Sequence, residues 1–119
     1  MGLSQTSAAL LPSGVPGVTN APWAGWSVSV VDPGYPRGVQ SLALDSLGRP
    51  HIAYTGDANV SYAYRDGLEW RLTTVMERSV SPDIALDASD TPHLCFNNAN
   101  LSYPTGIYYA TKTQTGWAF

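Results

Sequence analysis

The chain has 119 residues, the size of one domain, and 44% of them are hydrophobic, enough for a packed core and too many for a wholly disordered chain. Only 13% are charged, and the 6 basic residues are scattered among 9 acidic ones, so nothing forms the dense basic patch that nucleic acid requires. A single cysteine excludes an internal disulfide framework and a thiolate zinc cluster, and no apolar run approaches the ~20 residues of a membrane-spanning helix.

Residues 1–24 are rich in Pro, Gly and Ser and have no hydrophobic period. They read as a leader that docks on its own domain or on a neighbouring chain. Met1–Leu11 carries none of the basic side chains that open a secretory signal. From residue 25 onward no stretch has a helical period. Short two-residue alternations separated by turn residues predict an all-β chain. The expected strands are residues 26–31, then 41–44, 51–55, 60–65 and 70–75, then 84–86, 93–96, 107–111 and 117–119. Asp45-Ser-Leu-Gly48 and Asp66-Gly67 carry residues that suit tight turns between them.

The chain also repeats. Ser41-Leu-Ala-Leu-Asp45 matches Asp83-Ile-Ala-Leu-Asp87, and Pro50-His-Ile-Ala-Tyr54 matches Pro92-His-Leu-Cys-Phe96, both at an offset of 42. Tyr62-Ala63 matches Tyr109-Ala110, and Trp70 matches Trp117, at 47, so the second copy holds five extra residues near 102–106. The position of the gap is ambiguous, because residues 58–62 also resemble 99–103. A third, partial copy opens with Gly25-Trp26. A four-stranded repeat of this length is the size of one propeller blade. The expected fold is therefore all-β: two four-stranded β-propeller blades in permuted strand order, with an N-terminal strand over 26–31, blade one at about 41–75 and blade two at about 83–119. Two blades cannot close a ring of roughly 4–8, so the chain is expected to assemble into a larger propeller or a filament. The near-continuous apolar strands such as Leu42-Ala-Leu44 predict that both faces of each blade are covered.

Ala43-Leu-Asp45, Gly48, Pro50-His-Ile-Ala-Tyr54, Tyr62-Ala63 and Gly67-Leu-Glu-Trp70 resemble the blades of bacterial propellers loosely related to the sialidase-like, Asp-box group. The resemblance covers about residues 25–119 and implies a propeller fold. It departs from the Asp-box pattern: Asp45 and Gly48 stand one residue too far apart, and Asp90 replaces the glycine in the second copy. Sialidase activity would need an arginine triad, a Tyr/Glu nucleophile pair and an acid. Arg37, Arg49, Arg65, Arg71 and Arg78 show no such spacing, so the activity is not carried over.

Several residues invite a functional reading. His51 and His93 follow proline at equivalent places. They read either as ligand contacts or as strand-start histidines hydrogen-bonded to the turn aspartates Asp45 and Asp87, and their repetition favours the second. Trp26, Trp70 and Trp117, with Tyr62 and Tyr109, could stack on sugar rings or pack between blades. Trp23, Trp26, Val28, Val30, Trp117 and Phe119 are the candidates for self-association. Cys95, between Leu94 and Phe96, reads as a buried small hydrophobe. No nucleophile elbow, phosphate loop or metal-ligand spacing occurs, so no enzyme activity, cofactor or metal is expected. The leading expectation is a structural subunit that joins copies of itself head to tail by strand donation, as a ring or an extracellular fibre. The alternatives are an oligomeric lectin-like module that takes glycans and a fragment of a sialidase-like enzyme. Low charge and few lysines suggest an extracellular setting. The partners expected are other copies of the chain and glycans, with neither nucleic acid nor a membrane span.

Overall fold

The structure is a computed structural model that describes residues 25–119; the leader over 1–24, with Trp23, lies outside them. The chain divides into two units, one ending at Pro33 and the other running Gly34–Phe119. In the first unit, residues 26–31 form no strand. This corrects the expected N-terminal strand. The alternation is a β pattern, but a strand needs a neighbour to complete its hydrogen bonds, and the described residues of this unit supply none. Trp26 is exposed there, while Val28 and Val30 are half-buried.

The second unit is all-β, with no helix among the described residues. Its strands are β1 (Pro36–Leu44), β2 (Pro50–Gly56), β3 (Asn59–Asp66), β4 (Glu69–Met76), β5 (Ser79–Leu86), β6 (Pro92–Asn98), β7 (Gly106–Lys112) and β8 (Trp117–Ala118). β1–β4 form one antiparallel sheet and β5–β8 another, each in chain order. The strand order is therefore not permuted, and each repeat builds its own sheet. The second sheet begins at Ser79, earlier than the expected 83, because Glu77-Arg78 turns the chain from β4 straight into β5.

Turn chemistry sets the registers. Asp57 and Ala58 both have positive φ, at 52° and 62°, the pair of conformations that a two-residue hairpin between twisted strands requires. Gly67 supplies the same handedness between β3 and β4. The β6–β7 connection runs over 99–105, against 57–58 for β2–β3, which locates the five extra residues and resolves the alignment. Residues 99–103 belong to that loop. It is held by bonds from Asn98 Nδ2 to the Pro104 carbonyl (3.0 Å) and from the Tyr108 hydroxyl to the same oxygen (3.0 Å).

The sheets stack face to face, with β5 against β1, β2 and β3. Ala53, Val60 and Tyr62 of the first sheet meet Ile84, Leu94 and Phe96 of the second in one apolar core. Burying each large side chain contributes about 1.5–3 kcal/mol. The alternation of the pleat points these side chains to one face of each sheet; on the opposite face of the first sheet Ala63 and Tyr54 are also buried. Leu42 and Leu44 point away from the core and are each 62% exposed, so the apolar run of β1 is not buried at these positions within the chain.

Candidate functional site

The repeated motif builds the same hydrogen-bonded unit twice. Asp45 begins the turn after β1. Its Oδ1 accepts the backbone N–H groups of Leu47 (2.9 Å) and Arg49 (2.8 Å), and Gly48, at φ 76°, lets the chain return into β2. Its Oδ2 accepts the Arg49 guanidinium at 2.7 Å and faces His51 Nε2 at 3.3 Å. His51 Nδ1 lies 2.7 Å from the Tyr62 hydroxyl on β3. Because an ionised Asp45 can only accept, Nε2 carries a proton, and in the neutral ring Nδ1 accepts the tyrosine O–H. The second copy repeats this. Asp87 Oδ1 accepts from Ser89 and Thr91, Asp87 Oδ2 lies 2.8 Å from His93 Nε2, and His93 Nδ1 lies 2.6 Å from the Tyr109 hydroxyl. The bond from each histidine to its turn aspartate is the one expected from the sequence. Register explains the third member: β2–β3 and β6–β7 pairing brings Tyr62 and Tyr109 to matching places beside the two imidazoles.

The electrostatics follow the geometry. Burial opposes ionisation of Asp45, but bonds from the Arg49 amide and guanidinium, His51 and the Leu47 amide outweigh it and hold the carboxyl well below the usual range. Asp87 is lowered chiefly by His93, then by the Thr91 and Ser89 amides. Burial pushes the Tyr62 hydroxyl up. Arg49 is raised by Asp45.

The two units differ in access. The His51 side chain is 8% exposed and that of Asp45 is 0%, whereas His93 and Asp87 keep 32% and 43%. The second sheet covers the first unit, and no sheet among the described residues covers the second. A tyrosine hydroxyl on an aspartate-oriented imidazole has the connectivity of a nucleophile–base relay. The buried copy meets no substrate, so the role common to both is to staple a turn to two strands. His51 and Tyr62, read as ligand contacts, lie beneath the second sheet. His93 and Tyr109 border a concavity of about 220 Å³ with Asp83, Ala85 and Cys95. Cys95 is exposed on that face, which corrects the buried reading: its neighbours across the strands have no sheet above them among the described residues.

The tryptophans do not gather at this concavity. Trp70 lies under the Arg65 guanidinium (5.7 Å) and Trp117 under the Lys112 ammonium (5.9 Å), again at matching repeat positions. Trp117 also meets Tyr62 edge-on at 5.2 Å. Phe119 is exposed. Arg49, Arg65 and Arg71 are engaged at three separate places, with Asp45, Trp70 and the Asp66/Glu69 pair. Among the described residues, no three of His, Cys, Asp and Glu come together to hold a metal, and no helix is long and apolar enough to cross a membrane.

Contacts between the repeats went unread in the sequence. Ser41 Oγ donates to Asp83, its own repeat equivalent, and Ser46 donates through N (2.8 Å) and Oγ to Asp90. The replacement of Gly48 by Asp90 was the available signal. Asp90 keeps the left-handed backbone, at φ 62°, and turns its carboxylate to the preceding turn. Compared with protein-family models and with curated proteins, the chain matches none.

Proposed function

We propose that this chain is a non-enzymatic, propeller-type building block that joins copies of itself head to tail into a ring or a fibre. One observation carries the reading: a single turn–strand–strand unit is built twice, stacked on itself, and each sheet keeps an outer face of the kind that stacks inside the chain. The fourth strand of the second sheet supports it. β8 pairs only with Thr111 and Lys112, so the edge of β7 over 106–110 is without a partner strand among the described residues. Residues 26–31 precede β1 as β4 precedes β5, and in a neighbouring copy they are the segment to fill that edge. Trp117 already holds the place matching Trp70, so the donated strand engages through Val28 and Val30 rather than Trp26.

The test is native mass by light scattering after size exclusion, with negative-stain imaging of excluded material. Three or four chains, giving six or eight sheets in the range of roughly 4–8 repeats that rings use, or fibres, is the expected result. A single-chain mass at all concentrations overturns it. A second reading, a glycan-binding module, rests on the exposed Tyr109 ring beside Asp83 and His93 at the concavity. Absence of binding on a glycan array removes it.

A further inference from the structure

The repeat makes the two exposed faces comparable with two faces already in contact. The covered face of the first sheet presents Ala43, His51, Ala53 and Tyr62, and the second sheet lays Ile84, Leu86 and Leu94 on it. Shifted by one repeat, the covered residues become Ala85, His93, Cys95 and Tyr109, which line the open concavity on the outer face of the second sheet. Shifted the other way, the covering residues become Leu42, Leu44 and Ile52, with Tyr54 in the place of Phe96; on the outer face of the first sheet Leu42 and Leu44 are exposed, Ile52 is half-buried and Tyr54 is already buried. One end of the chain therefore carries the knobs of the internal interface, and the other carries its hole.

The geometry points to a second copy of this chain as the occupant: Leu42, Leu44 and Ile52 of one copy enter the concavity formed by Ala85, His93, Cys95 and Tyr109 of the next. This rests on the self-association proposed above and assigns its surfaces. Inside the chain Ser41 gives its one hydroxyl proton to Asp83 Oδ1, which also accepts the Ile84 N–H, so the junction between copies is assigned to its apolar residues and not to a second Ser41–Asp83 bond. The contact is heterologous, so it propagates instead of closing on itself as a two-fold dimer. It also covers the exposed Asp87–His93–Tyr109 unit, as the internal interface covers Asp45–His51–Tyr62.

The test uses two full-length variants. Leu42→Arg spoils the knob end and leaves the hole, and Cys95→Arg fills the hole and leaves the knobs. Both positions are exposed in the chain, and circular dichroism checks that each variant keeps its β signal. Each variant alone is expected to lose every species above the single-chain mass, and an equal mixture is expected to give a two-chain species through the one intact pair of faces. In wild-type protein, Cys95 is expected to react with a thiol reagent more slowly than in Leu42→Arg. If both variants retain the wild-type mass, self-association stands and this surface assignment falls. If the mixture stays at single-chain mass, the head-to-tail pairing falls. If wild type is itself a single chain, both this inference and the reading beneath it fail.

Discussion

Asp90 carries two tasks where Gly48 carries one. Both hold a left-handed backbone, and Asp90 also accepts two bonds from Ser46 in the other repeat. Substitution separates them. Asp90→Gly loses the bonds and keeps an unstrained turn, while Asp90→Ala loses the bonds and places a Cβ in the left-handed region. Urea unfolding is expected to rank wild type, Gly and Ala in falling order, with Ala about 1 kcal/mol below Gly. The turn aspartates set the acid limb of stability. Folding lowers the carboxyls of Asp45 and Asp87. Between those lowered values and the ordinary ~4 of an unfolded aspartate, the unfolded chain binds more protons, so stability rises with pH across that window and is lost as pH falls through it. Melting temperature measured against pH is expected to be level above the window and to drop below it. Asp45→Asn is expected to melt lower at neutral pH and to flatten the acid drop. At the alkaline end, Tyr62 is held protonated by burial, and stability is lost above about pH 10, where the unfolded tyrosine ionises.

At the scale of the element, each hairpin is specified locally and each sheet is stabilised by the other. The two-residue turns at 57–58 and the Gly67 turn fix register, and register decides which face holds the apolar set. Phe96 on β6 is buried in the shared core, whereas Leu42 on β1 faces outward. Phe96→Ala is expected to lose about 3–5 kcal/mol in denaturant unfolding. Leu42→Ala is expected to stay within about 0.5 kcal/mol in the single chain. Equal costs would mean that the stacking of the sheets is not what stabilises them.

At the scale of the whole molecule, the two sheets bury one face each against the other, while Leu42 and Leu44 on the first and Tyr109 on the second stay exposed, with a short β8 beside the edge of β7. The strand pattern was legible in the residues: turn residues and alternation placed β2, β3, β4 and β6 close to their observed bounds, and the 42-residue offset marked the repeat. The start of β5 was not legible, because Ser79-Val-Ser-Pro82 alternates weakly and its pairing with β6 is interrupted by a bulge. The strand over 26–31 failed for the opposite reason: the pattern is there, and the described residues of its unit supply no partner strand.

The sequence by itself determined the all-β class, the repeat and the turn-to-histidine bond in each copy, since these depend on residues a few positions apart. Only the tertiary structure decided which of two near-identical units is buried. Ala53 and Cys95, or His51 and His93, occupy matching places on matching strands, and nothing local distinguishes them. Their difference comes from the stacking order of the sheets, a contact between distant residues that covers the first unit and leaves the second open to solvent.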